Sequence, residues 1–136
     1  MVIIRSATAV DIPAVLALWD EAGAEPSRTD DPESLGRLID VDPSSLLVAE
    51  AEGRIMGSVI AGWDGWRGSI YRLAVDPEVR RTGLGRRLVA EAEARLAEVG
   101  ARRLQAIVSA SEGPARQFWQ SSDWSEQVQR VRFVKG

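Results

Sequence analysis

The chain has 136 residues, 45% of them hydrophobic, and a net charge of −3. That size and content suit a single domain over residues 1–136, burying about two-thirds of the surface its unfolded chain exposes. Cysteine and histidine are both absent. This excludes disulfides, thiolate catalysis and cysteine–zinc sites, and no metal site is expected; a general base must be a carboxylate, a tyrosinate, the substrate's own amine equilibrium or water.

The amino-terminal Met1-Val2-Ile3-Ile4-Arg5 has neither the basic start nor the cleavage pattern of a signal peptide. No stretch approaches the roughly 20 apolar residues that span a bilayer. A cytoplasmic location is therefore expected, with no membrane partner. The acidic balance argues against nucleic acid, which needs a basic face.

Val2-Ile3-Ile4-Arg5 reads as a first strand, and Thr8 to Asp11 as a capping box. Ile12, Val15, Leu16 and Trp19 then recur at helical spacing, with Pro13 blurring the start. Asp20 to Ser34 is polar and acidic and reads as a solvated loop; Leu35 and Leu38-Ile39 suggest a short second helix. Leu46 to Ala51, Glu52-Gly53 and Arg54 to Trp63 form a hairpin pattern. The reversal Asp64-Gly65-Trp66-Arg67-Gly68 leads into a strand over 69–75. Leu84, Leu88, Ala92 and Leu96 give the next helix an apolar stripe; Arg87, Glu91 and Arg95 fall on its other face, so Arg95 is expected in solvent. Gly100 suits its end. A further strand over 102–109 must cross back, as a parallel neighbour with right-handed crossover. Pro114 opens a helix carrying Ala115, Phe118 and Trp119, and Gln129 to Lys135 alternates as a final strand.

Between the strand ending at Val75 and the long helix lies Arg80-Arg81-Thr82-Gly83-Leu84-Gly85. A strand feeding such a loop into a helix aims backbone N–H groups at one point, where the helix dipole adds positive charge. Gly83 and Gly85 allow close approach; Arg80, Arg81, Arg86 and Arg87 surround it with charge. A pyrophosphate fits this chemistry, although a glycine pair before a helix is also an ordinary tight turn. No Gly-Lys-Ser/Thr is present, and the third glycine of a dinucleotide fingerprint would fall on Leu88.

The run Leu73 to Leu88 resembles the acyl-CoA-binding motif of the GNAT superfamily of N-acyltransferases, whose core Arg/Gln-x-x-Gly-x-Gly/Ala is filled by Arg80, Gly83 and Gly85. The likeness extends over nearly the whole chain. It implies an α/β fold with a mostly antiparallel sheet, one parallel crossover, and fourth and fifth strands that splay to admit an acyl thioester. It also implies acetyl-CoA as cosubstrate, held by Leu73, Ala74, Val75, Arg80, Arg81, Thr82, Gly83, Leu84, Gly85 and Arg86. Leu73 and Val75 would pair with the pantetheine arm as an added strand does. A backbone N–H near Val75 would polarise the carbonyl.

Glu112 to Trp124 aligns with a second family pattern, Asn-x-x-Ala-x-x-Leu/Phe-Tyr-x-x-x-Gly-Phe/Tyr, but departs from it. Glu112 replaces the asparagine, Asp123 the glycine, and Trp119 the tyrosine that protonates the leaving thiolate. An indole donates a hydrogen bond but does not release its proton. The glutamate of the branch that acetylates protein N-termini falls on Ile107, which argues against that branch. Asp64 to Gly68 with Tyr71 resembles a branch of small bacterial members, with Trp66 where histidine is expected. Glu50, Asp64 and Tyr71 are candidate bases, each with a structural alternative; Trp119 is the remaining catalytic candidate. Trp63 and Trp66 either pack on the first helix or a homodimer partner, or line the acceptor pocket. The resemblance implies an acetyl-CoA-dependent N-acetyltransferase acting on a small-molecule or protein amine. A CoA-binding regulatory or interaction module is the alternative, and a structural protein with an ordinary glycine turn a second.

Overall fold

The computed structural model describes residues 1–109 and 113–136. Its elements in chain order are β1 (Ile3–Ser6), α1 (Ile12–Glu21), α2 (Pro32–Val41), β2 (Leu46–Ala51), β3 (Arg54–Trp63), β4 (Gly68–Val75), α3 (Leu84–Glu98), β5 (Leu104–Ala106) and α4 (Gly113–Gln120). The chain packs as two units, Met1–Ala106 and Ile107–Gly136.

The first unit holds a five-stranded sheet in the order β1-β2-β3-β4-β5. The first four strands pair antiparallel, and β4 pairs parallel with β5. This is the mixed α/β sheet with one parallel crossover expected from the sequence. Alternation along the strands sorts side chains to two faces. Leu46, Val48, Ile60 and Ala74 meet Val15, Leu18 and Trp19 of α1 and Leu35 of α2 in one core. The other face receives α3, whose Leu84, Leu88, Val89, Ala92 and Leu96 are buried. Gly57 lets α3 come close, since a Cβ there would stand 2.8 Å from Leu88 Cδ1 and 3.2 Å from the Ala74 carbonyl.

Local rules explain most element ends. A 3-10 turn over Ala9–Asp11 precedes α1, and the Thr8 N–H donates to Asp11 Oδ2 at 2.8 Å. Pro13 sits in the first turn of α1, where its missing donor costs nothing. Asp31 caps α2 by accepting from the Ser34 N–H at 2.7 Å, so the helix starts inside the stretch expected as loop.

Arg95 is not in solvent. Its side chain is 11% exposed, pairs with Asp42, and donates from Nε to the Ser44 carbonyl at 2.6 Å. The helical wheel showed only that position 95 lies off the α3 stripe; the α2–β2 turn covers it. Strand β5 is also shorter than expected, ending at Ala106.

In the second unit, Trp119 of α4 meets Phe118 and Trp124 edge-on, with centroids 5.6 and 4.9 Å away. Arg116 grips Glu126 through two bonds of 2.7 and 2.8 Å, which hold that carboxyl below its ordinary range. The final strand expected over 129–135 does not form, and Phe133 is 93% exposed. Alternation over seven residues makes a strand only where a neighbouring edge accepts its hydrogen bonds.

Candidate functional site

The end of β4 leaves an open edge. The β4–β5 ladder runs Gly68–Leu104, Ser69–Gln105 and Ile70–Ala106, then stops. From Tyr71 to Val75, β4 therefore has β3 on one side and no strand of the first unit on the other. The Asp76 N–H donates to the Met56 carbonyl at 2.8 Å, and Ala74 lies opposite Ser58. Antiparallel alternation then turns the backbone groups of Val75, and of Leu73 before it, toward the open edge. These are the residues expected to meet a pantetheine arm.

The chain next enters a short 3-10 turn at Pro77–Val79. Asp76, 4% exposed, fixes this turn by accepting from the Glu78 N–H at 2.9 Å and from Arg54 at 3.3 Å. The Thr82 hydroxyl closes back onto the Val79 carbonyl at 2.7 Å. Gly83 caps α3 with φ +87°, a left-handed conformation suited to glycine, and has no side chain to satisfy the helix's first donors. A Cβ at Gly83 would meet nothing within 4 Å, so the mouth of the helix is open. The first intrahelical bond runs from the Arg87 N–H to the Gly83 carbonyl. The N–H groups of Leu84, Gly85 and Arg86 therefore have no partner inside the helix. An anion would satisfy them together, with the dipole adding attraction. The residues present thus fit the diphosphate of an acyl-CoA.

The arginines divide. Arg81, at φ +67°, and Arg86 are exposed beside this mouth. Arg80 instead donates to the Ala22 carbonyl at 2.9 Å, tying the loop to the end of α1. Arg87 donates to the Val2 carbonyl at 3.3 Å.

The catalytic candidates are held in different ways. Glu50 is held by Arg5 at 2.6 Å. Asp64 accepts from the N–H groups of Arg67 and Trp66 at 2.7 and 2.8 Å; these bonds hold its carboxyl below the ordinary range and suit a turn-former. Tyr71 follows the point where β4 and β5 part and is 42% exposed. Trp119 belongs to the aromatic cluster of the second unit, and Ile107 lies just past β5. Glu112 lies outside the described residues. Among the described residues, no group of three or more carboxylates could hold a metal.

Sequence reasoning missed Arg72, which crosses to Asp30 at 2.5 Å and adopts φ +52° inside β4. The bulge behind this leaves no mark in an otherwise ordinary strand sequence.

The chain belongs to the acetyltransferase (GNAT) family, which residues 13–123 match. An acetyltransferase of Pectobacterium atrosepticum is 36% identical over 98 residues, covering 72% of this chain and 70% of that one. One from Yersinia enterocolitica is 32% identical over 117 residues, covering 86% and 83%. Among solved structures, the PaiA N-acetyltransferase of Thermoplasma acidophilum in complex with coenzyme A superposes with a TM-score of 0.76. It is 16% identical and covers 88% of this chain and 87% of that one, a likeness of fold. The protein is thus an N-acetyltransferase with acetyl-CoA as donor.

Proposed function

We propose that the open β4 edge and the Arg80–Arg86 loop hold acetyl-CoA for direct transfer of the acetyl group to a primary amine. The single observation that carries this reading is the continuity of the two features. The edge donors of Leu73 and Val75 run into the unsatisfied N–H groups of Leu84, Gly85 and Arg86. Val75, next to the loop, would take the pantetheine arm and Leu73, further along the edge, the acyl carbonyl, while the loop takes the diphosphate. Arg81 and Arg86 add charge-assisted bonds to the diphosphate, while Arg80 fixes the loop that presents them.

Bound acetyl-CoA supplies an acyl group already activated as a thioester. The chain's part is to position it and to offer the Leu73 N–H to the carbonyl where negative charge develops. Glu50 and Asp64 are occupied by Arg5 and by a turn, so Tyr71 is the candidate side chain nearest the parting of β4 and β5. Water, oriented by Tyr71, takes the proton lost by the amine and returns one to the leaving thiolate, which departs as the free thiol of coenzyme A. Trp119 serves packing within its own unit. We further infer one functional domain over residues 1–136, working in the cytoplasm on a small-molecule or protein amine.

The test has two stages. Coenzyme A and acetyl-CoA are each titrated in a thermal-shift assay; both should raise the melting temperature. Thiol release is then followed with a panel of amines, and should require an amine. No shift at saturating coenzyme A would overturn the donor site. A shift without thiol release for any amine would favour the CoA-binding module.

A further inference from the structure

Strand β4 breaks register at one place. Ser58 lies opposite Ala74, yet two residues along β3 Ile60 already lies opposite Tyr71. Over this interval β4 carries one residue more than β3, which is a bulge. Arg72 takes it up at φ +52°, a left-handed conformation that is unfavourable for a residue with a Cβ.

Such strain persists only where the surroundings over-determine it. Here they do. The buried Ser58 hydroxyl donates to the Arg72 carbonyl at 3.2 Å. The buried Trp19 indole N–H donates to that same hydroxyl at 2.8 Å. The Arg72 guanidinium stands over the Trp19 ring, 5.3 Å from its centroid. It also donates to Asp30 Oδ2 at 2.5 Å, and this oxygen accepts from the Ser27 N–H at 3.0 Å. Three segments distant in sequence thus converge on one peptide of β4.

The bulge decides which amides face the open edge. Without the extra residue, alternation would slip by one; Leu73 and Val75 would turn their N–H groups to β3 and Ala74 would face outward. We propose that Trp19, Ser58 and Arg72, latched by Asp30, form a positioning relay that aims the Leu73 N–H at the donor's acyl carbonyl. This rests on the donor-site reading above. The four are positioning residues, since their contacts run to one another and to the β4 backbone.

The relay predicts a spectroscopic signature. Acetyl-CoA carrying a ¹³C carbonyl is bound to the parent protein and to Ser58→Ala, Arg72→Gly and Arg72→Val. Affinity is measured by calorimetry and the carbonyl stretch by isotope-edited infrared. In the parent the stretch should lie below its frequency in water. In Ser58→Ala the affinity should stay within about threefold, because the diphosphate loop is untouched, while the stretch moves back toward the free value. Arg72→Gly should keep more of the parent's shift than Arg72→Val, since glycine adopts positive φ freely and a β-branched residue does not. With an accepted amine, kcat in Ser58→Ala should fall about 10- to 100-fold, the scale of an ångström misplacement, with little change in KM for acetyl-CoA. Should Ser58→Ala fail to fold, Asp30→Asn at the rim of the network carries the same comparison. An unshifted parent stretch, or an unchanged stretch in the folded variants, overturns the relay and leaves the donor site standing. No binding by the parent overturns the donor site and the relay together.

Discussion

Two sets of arginines surround one sheet and are treated in opposite ways. Arg5 reaches Asp11 at 2.8 Å and Glu50 at 2.6 Å, and Arg95 is locked to Asp42 and the Ser44 carbonyl. Arg81 and Arg86 are exposed, with no ion pair or hydrogen bond from their side chains among the described residues. They also stand at the amino end of α3, where the helix dipole already places positive charge. In the free protein that arrangement repels itself, whereas the paired arginines join segments. Charge gathered where it destabilises its own helix marks a place for an outside anion; charge neutralised in place marks a tie between segments.

The sharpest way to break this comparison is to put an anion into the helix mouth covalently. Gly85→Glu places a carboxylate among the donors of Leu84, Gly85 and Arg86. It should abolish acetyl-CoA binding while leaving the fold intact. Ligand at about 100 times its dissociation constant should stabilise the parent by roughly 2.7 kcal/mol. The variant should show no shift in melting temperature at the same concentration. A parent-like shift would mean that the diphosphate lies elsewhere.

A smaller effect separates the two sets directly. Arg81→Ala and Arg86→Ala should each weaken acetyl-CoA binding by about 1.5–3 kcal/mol, the scale of a charge-assisted bond, without lowering the melting temperature. Arg95→Ala should do the reverse, costing about 2 kcal/mol of stability through the lost tie to Asp42 and leaving affinity unchanged. Calorimetric titration and urea unfolding of the three variants read both effects. Equal affinity losses for Arg81→Ala and Arg95→Ala would erase the distinction.

Legibility in the sequence followed the same divide. The glycine loop, the hairpin of β2 and β3 and the apolar stripe of α3 are local patterns, and each lies where its pattern puts it. Arg95 was misplaced because its partners, Asp42 and Ser44, are remote in sequence and approach only when α3 crosses the sheet. Arg72 was missed for a related reason. Its backbone is set by Trp19, Ser58 and Asp30, none of them a neighbour in the chain. The alternation over 129–135 was legible as a pattern, but a strand also needs an edge, which no seven-residue window contains. Glu50 and Asp64 read as possible bases from their residue type; their occupation by Arg5 and by turn amides is tertiary information.

The smallest expected effect tests the paired set by pH. Asp11 is held at about 2 in the folded chain, against an ordinary value of 3.8, chiefly by its hydrogen bonds with Arg5. Its folded value lies below its unfolded one, so the stabilisation is complete above about 3.8 and disappears as pH falls toward 2. Arg5 stays charged throughout and adds no titration of its own. Because Arg5 is one-third exposed, solvent screens the pair, and the contribution at neutral pH should be about 1–2 kcal/mol. Asp11→Asn should therefore be less stable than the parent by that amount at pH 7 and pH 5. The gap should narrow through pH 3, as the parent's own carboxylate takes up its proton. Other carboxylates titrate in both proteins and cancel in the difference. Urea unfolding of the pair at pH 7, 5, 4 and 3 measures it. A gap that stays constant with pH would show that Asp11 acts through the neutral hydrogen bond with Thr8, with the charge of Arg5 irrelevant to the tie.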